Sequence, residues 1–421
     1  MHDIRFMIHP KQLLIKDYTY YLPEDRIAQY PLPQRDASKL LIYDNENIKE
    51  DIYKNIANHI PPASLLIFNN TRVIEARLLF QKPTGGIIEI FCLEPYDNLD
   101  VTQSMMIKGK VRWKCMVRGV SKWKSGILEK QINIEGKVAV LFAEKIDQLG
   151  DVHVIELSWQ PDFLSFAEVL HVAGLLPLPP YLHRQADEND YIRYQTVYAE
   201  KQGSVAAPTA GLHFTSEVLQ LLEEKKILTK FVTLHVSAGT FKPVKSEILA
   251  DHQMHSEWIE VAKETIENIL TSHPSCIIPV GTTSLRTLET LYWMGLKAYY
   301  NPDITKTEIE IKQWDAYEMM DKIVTKEQAL RALLSWINKR KKTRFIIPTQ
   351  ILIAPGYIPQ IADAIITNFH QPDSTLLLLV SALIGDDWRK VYDYALQNNF
   401  RFLSYGDGSL LWIDKKKRRI N

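Results

Sequence analysis

The segments ARLLFQK (76–82), GIIEIFCLE (86–94), WKCMVRGV (113–120), KVAVLFA (137–143) and VHVIELSW (152–159) each alternate apolar and polar residues over a strand's length. Turn chemistry separates them, at Thr84–Gly85–Gly86 and Ser125–Gly126 among others. Period-two patterning broken at this spacing predicts an all-β module, a small barrel or sandwich, over residues 74–158. On both sides of it the periodicity changes.

Before it, Ser64–Phe68 is an apolar run without helical period and predicts a buried strand delivering Asn69–Asn70–Thr71–Arg72 at its end. That tetrad is a ligand group or an Asx turn. Further back, Tyr21–Glu24 reads as a helix start, continued by Ile27–Tyr30 and ended by Pro31. Arg35, Ser38 and Lys39 follow in a loop, either solvated or holding an anion. After Pro161 the pattern is mixed α/β. Phe163–Leu175, Ser216–Lys226 and Thr265–Ser272 read as helices, Phe231–Val236 and Cys276–Val280 as strands, and Asn301–Arg344 carries little pattern. Pro372–Asp373–Ser374 opens a very apolar helix, and an aromatic strand turns at Tyr405–Gly408 near the end.

The chain has 421 residues, 46% apolar and 24% charged, with 50 Lys+Arg against 50 Asp+Glu. That is an ordinary globular composition of two or three domains, and net charge argues for no particular partner. Three cysteines without metal-like spacing fit a reduced compartment. No signal-peptide pattern opens the chain, and the apolar run Leu376–Leu383 is too short to span a bilayer. The expectation is a cytoplasmic protein with no membrane partner.

Chemistry concentrates between Gly203 and Val244. GSVAAPTAGLHFT and VTLHVSAGTFKPV are glycine-interrupted, Ser/Thr-rich loops carrying His213 and His235. Such loops let a ligand approach bare backbone. Strand, Gly281–Thr282–Thr283, then a helix with Arg286 in its first turns reads as an anion or ribose site at a helix N-terminus. His252 and His255 have His-x-x-His spacing but no marked third ligand, so no metal site is assigned. Asn368, His370, Asp373 and Ser374 share a loop between two apolar elements. Lys108–Lys124 holds seven Lys/Arg, no acid, and Trp113 and Trp123. It is a phosphate-contacting, base-stacking surface or a solvated face with its tryptophans turned inward.

Taken in order, YLPEDRIAQYPLPQRDASKLL, NNTRVIEARL, PTAGLHFT, VTLHVSAGTFKPV, HQMHSEW, VGTTSLRTLE, APGY, ITNFHQPDSTLLLLVSA and RFLSYGDG resemble the S-adenosylmethionine:tRNA ribosyltransferase-isomerase family of queuosine biosynthesis. The resemblance spans nearly the whole chain. It implies an α/β fold: a larger mixed domain, a barrel-like sheet with helices, over 1–73 and 159–421, with a smaller antiparallel β-barrel domain inserted at 74–158.

The implied reaction moves the ribosyl part of S-adenosylmethionine onto 7-aminomethyl-7-deazaguanine in a tRNA anticodon. The ribose is isomerised to give epoxyqueuosine, and adenine and methionine are released. S-adenosylmethionine is then a co-substrate, with no prosthetic group and no metal, and the enzyme is a monomer. Its sulfonium acidifies the adjacent 5′ carbon, so the chemistry asks for a base and for protonation of adenine. His213, His235, His255, His370 and Asp407 fall in the resembling blocks as catalytic candidates, with Asp363 and Asp373 as further carboxylates. Thr209, Gly211, Gly239, Thr240, Thr282, Thr283, Arg286 and Asn368 are candidates for holding the donor. Lys110, Arg112, Lys114, Arg118, Lys122 and Lys124 are candidates for tRNA.

The chain departs from the family at several points. Asn70 stands for Asp, Ser237 for Gly, and Arg118–Lys122 for Arg-Pro-Ala-Lys-Arg. The aromatic after Tyr357 is missing, and Gly408–Ser409 replaces Ala-Met. A paralogue acting on another nucleoside or small-molecule acceptor, and an inactive tRNA-binding scaffold, therefore stay open as alternatives.

Overall fold

The computed structural model describes residues 9–97, 99–134, 136–236, 244 and 246–413. It is mixed α/β with several sheets. One sheet sets Ile277–Pro279, Leu65–Asn69, Leu228–His235, Glu257–Ala262 and Arg344–Thr349 side by side, the first three parallel and the rest antiparallel. A second has the order Ala364–Asn368, Gly408–Trp412, Lys39–Asp44, Asn47–Ile52. Val280, just past the short Ile277 strand, makes a parallel bridge to Ile366 and joins the two sheets edge to edge. Four strands thus end on one side, at Asn69, His235, Pro279 and Asn368. Ligand groups gather at such carboxyl ends in α/β folds.

The apolar run at Leu65–Phe68 follows from its position. Leu65 and Ile67 face one core, with Leu285, Leu288 and Val232, while Leu66 and Phe68 face another, with Phe214, Val218 and Leu222. A strand covered on both faces has no use for polar alternation. The Thr282–Tyr300 helix is buried almost all round and packs against the Lys326–Lys339 helix. Inside it the Glu289 carboxylate accepts from Tyr357 Oη at 2.7 Å and from the backbone amides of Gln360, Ile361 and Ala362 at 2.8, 3.0 and 3.1 Å. Burial nonetheless raises its pKa.

A seven-stranded antiparallel sheet stands apart, in the order Gly174–Leu175, Arg77–Gln81, Ile87–Pro95, Lys110–Arg118, Val152–Gln160, Lys137–Leu149, Leu128–Ile134. It has its own apolar core, including Phe80, Trp113, Trp123 and Trp159, closed by the Phe166–Ala173 helix. Trp113 and Trp123 therefore face inward.

The helix expected after Tyr21 is only a 3₁₀ turn, Glu24–Arg26. The following backbone pairs with Phe402 instead, through the Ile27–Phe402 bridge and the Ala28 amide. The Lys326–Lys339 helix, inside a region with little apparent pattern, opens on a Thr325–Gln328 capping box. Among the described residues no helix is long and apolar enough to cross a membrane.

Candidate active site

A cleft opens where the strand ends converge. Three elements build its floor. Pro208–Thr209–Ala210 comes from the first histidine loop, Gly281–Thr282–Thr283 from the start of the long helix, and Thr367–His370 from the strand leaving the second sheet. Tyr181 and Ser404 form a wall, their hydroxyls 2.5 Å apart. Gly281 has φ +89°, a turn that L-residues resist, and it tips the chain from strand into helix. No side chain caps that helix. Its first amides and positive dipole end are left for an oxygen ligand.

Asn368 is the polar centre of the cleft. Its Oδ1 accepts from Thr209 Oγ1 at 2.8 Å, and its Nδ2 faces His213 Nε2 at 3.3 Å and the Asp407 carbonyl at 3.5 Å. His370, on the same loop, lines the cleft with Nε2 2.9 Å from Thr367 Oγ1. Burial lowers its pKa to about 3, so the ring is neutral at neutral pH.

The other histidines lie elsewhere. His213 sits behind Asn368, stacked on Tyr53 at 4.1 Å between ring centroids, and burial lowers its pKa to about 3. His235 ends the Leu228 strand with Nδ1 3.3 Å from Thr71 Oγ1, and burial lowers it to about 4. Its neighbour Val236 reaches the cleft. His255 lines a second cavity with Arg286. The Asp407 carboxylate accepts from the backbone amides of Lys39 and Arg401 at 2.9 and 2.7 Å, and burial raises its pKa. Asp363 accepts from the Ile277 amide at 2.7 Å, and Asp373 from Thr19 Oγ1 at 3.2 Å. Gly211 leaves room for Tyr198 rather than a ligand, since a Cβ there would stand 1.9 Å from the tyrosine oxygen. Gly239, Thr240 and Ser237 lie outside the described residues.

Several polar residues prove to be struts. Asn69 ties three elements together, exchanging bonds with the Leu234 backbone at 3.0 Å and donating to Thr283 Oγ1 at 3.2 Å. Asn70 accepts from Thr233 Oγ1 at 2.7 Å and donates to Glu200 at 3.1 Å. The Arg35 guanidinium donates to the carbonyls of Ile192, Arg193 and Leu212. Gly408 is forced by Tyr53, because a Cβ would stand 2.1 Å from its hydroxyl oxygen. Sequence reasoning did not single out Tyr181 and Ser404 as site residues. The only signal was position, Tyr181 in the proline-stiffened LLPLPPYL and Ser404 in RFLSYGDG.

On the seven-stranded sheet the basic stripe is compensated at one end. Lys110 pairs with Glu156 at 3.5 Å, Arg112 with Asp97 at 2.6 Å and Lys114 with Glu94 at 2.7 Å. Arg118, Lys122 and Lys124, further along, make no ion pair among the described residues.

Comparison with known proteins gives a consistent result. The family described as "Queuosine biosynthesis protein" matches residues 15–411. A protein of Trichlorobacter lovleyi named S-adenosylmethionine:tRNA ribosyltransferase-isomerase is 36% identical over 405 residues, covering 95% of this chain and 100% of its own. One of the same name from Pelobacter propionicus is 35% identical over 407 residues, with the same coverage. The crystal structure of an S-adenosylmethionine tRNA ribosyltransferase from Thermotoga maritima is 26% identical, covers 94% of this chain and 99% of its own, and has a TM-score of 0.44. With the family match over residues 15–411 and 35–36% identity to the two named relatives from end to end, and with a cleft lined by the blocks that carry the resemblance, this chain belongs to the queuosine biosynthesis protein family.

Proposed function

We propose that the chain transfers the ribosyl moiety of S-adenosylmethionine to 7-aminomethyl-7-deazaguanine in the anticodon region of tRNA and isomerises it, yielding epoxyqueuosine, adenine and methionine. The observation that carries this reading is the end-to-end match, over 95% of the chain, to relatives bearing that activity in their names. The cleft supports it chemically. Hydroxyls and amides at Thr209, Thr282, Thr283 and Asn368 suit a ribose, and the uncapped helix start suits oxygen that gathers negative charge.

His370 is the group best placed to act as base at the 5′ carbon. A pKa near 3 makes a weak base. Taking a proton from the carbon beside a sulfonium, however, moves positive charge from sulfur to imidazole without adding any. The desolvation that depresses His370 is thereby offset in the complex. His213 and Asp407 act through Asn368 and the backbone, as positioning residues.

The reading extends to partners and organisation. Residues 74–158 contribute an inserted antiparallel β-barrel domain, and residues 1–73 and 159–421 the catalytic domain. Six of the seven strands of the separate sheet begin within 74–158, around a core of their own. tRNA phosphates contact that domain at its uncompensated end, Arg118, Lys122 and Lys124, more than at Lys110, Arg112 and Lys114. The enzyme is a cytoplasmic monomer without prosthetic group, consistent with its three free cysteines.

Purified protein incubated with S-adenosylmethionine and tRNA bearing the 7-deazaguanine precursor tests the proposal. Adenine release with epoxyqueuosine in the tRNA is expected. Adenine release that depends on a different acceptor, or tRNA binding with no release, overturns it.

A further inference from the structure

A second cavity adjoins the cleft, and its lining differs in kind. Arg286 and Glu257 meet there in a direct ion pair, Nη1 to Oε2. Both are buried, at 6% and 3% exposure. Arg286 Nε donates to the Ile351 carbonyl at 3.3 Å, but Nη2 has no hydrogen-bond partner among the described residues. An unmade bond on a buried guanidinium is costly, and a cavity beside it is where an acceptor belongs.

The two spaces are connected through two helices. Thr282 and Thr283 line the cleft, and Arg286, three to four positions on and hence on the same helix face, lines the second cavity. On the apolar Thr375–Ile384 helix, Ser374 lines the cleft, Thr375 the second cavity, and Leu376 both. The two cavities therefore adjoin at Leu376, and the ligand proposed below would reach from one to the other past that side chain.

We infer that the Arg286–Glu257 cavity is a subsite for a zwitterionic α-amino acid group, the methionyl end of the donor. The inference rests on the proposed use of S-adenosylmethionine and names where its second half is held. Charge selects the ligand. A lone arginine would suit any carboxylate or phosphate, but Glu257 neutralises Arg286, so the pair offers a free anion little net attraction. A ligand carrying both charges meets a complementary dipole, its carboxylate at Arg286 Nη2 and its ammonium on the Glu257 side. The start of the Thr375 helix, whose first residue lines the cavity, adds positive potential there. Leu352, Ile353 and Leu379 supply an apolar wall for the methylene arm.

The test varies the ligand against the unaltered enzyme. L-Methionine should inhibit adenine release competitively with S-adenosylmethionine. 4-(Methylthio)butyrate and 3-(methylthio)propylamine, each keeping one charge, should inhibit on the order of 10- to 100-fold more weakly, as expected for a buried charged hydrogen bond left unmade. Glu257→Gln should shift preference toward the butyrate. Equal inhibition by all three, or turnover of decarboxylated S-adenosylmethionine with unchanged KM, overturns the subsite. If the wild-type protein releases no adenine at all, the reaction assignment fails separately. Calorimetric binding of the same three compounds to the wild-type protein still decides the subsite.

Discussion

The Asn368 side chain holds His213 in one protonation state. With Thr209 donating to Oδ1, its Nδ2 is turned to His213 Nε2, 3.3 Å away. Nε2 must then accept, so the ring is neutral with its proton on Nδ1. Burial, which lowers the His213 pKa to about 3, points the same way. A residue that looks catalytic by its position in Gly211–Leu212–His213 also fixes the aim of the Asn368 amide.

His213→Ala should therefore act first on stability. Removing the ring stacked on Tyr53 leaves a cavity costing about 2–4 kcal/mol. Turnover of the protein that still folds should fall by no more than roughly tenfold, the value of one hydrogen bond. Urea unfolding and adenine-release rates measured together would show this, and a large rate loss at unchanged stability would refute it.

His370→Ala should behave oppositely. Loss of a general base typically costs roughly 100- to 10,000-fold in rate, while stability and the KM for S-adenosylmethionine should move little. Near-wild-type turnover in this variant would remove His370 from the chemistry.

Acid should weaken the fold in a defined window. His213, His235 and His370 have folded pKa values lowered to about 3, 4 and 3, against about 6.5 in an unfolded chain. Between those values the unfolded state binds more protons, so stability is present above pH ~6.5 and lost as pH falls toward 3–4. Each histidine contributes a slope of about 1.4 kcal/mol per pH unit. The raised carboxyls of Glu289 and Asp407 work in the other direction at the acid end. Unfolding midpoints measured from pH 7 to 4 should fall, and His235→Gln should flatten the curve.

Binding of tRNA should depend on which lysines and arginines are removed. Replacing Arg118, Lys122 and Lys124 together by alanine should reduce the slope of log affinity against log salt by roughly 2–3. The same change at Lys110, Arg112 and Lys114, each already paired with an acid, should alter it by less than about 1. Equal effects would place the contact along the whole strand.

Much of this architecture was legible because it rests on short-range pattern. Leu65–Phe68, Ile277–Val280 and the alternating strands from Ala76 onward declare themselves by period and length. So does the helix opened by Ser374. What stayed hidden depends on register and on distant partners. Nothing near Lys110–Lys114 announces that Glu94 and Glu156 will stand on neighbouring strands, with Asp97 just past the end of one. Glu257, two residues past His255, belongs to Arg286, 29 positions later. The Lys326–Lys339 helix was readable in principle. Its Thr325 cap and the apolar positions at Ala329, Leu330, Leu333, Trp336 and Ile337 are a helical signal overlooked amid charge.

Glu289 gives the molecule a surveyor's fixed point. It lies seven residues beyond Thr282, roughly 10 Å along the helix axis from the amides that open onto the cleft. Bonded to Tyr357 and three consecutive amides at Gln360–Ala362, it locks both the rotation and the advance of a rod whose tip opens onto the cleft. The bearing of that tip is thus inherited from a joint inside the core. Described loops around the cleft can change in sequence while the helix keeps its aim.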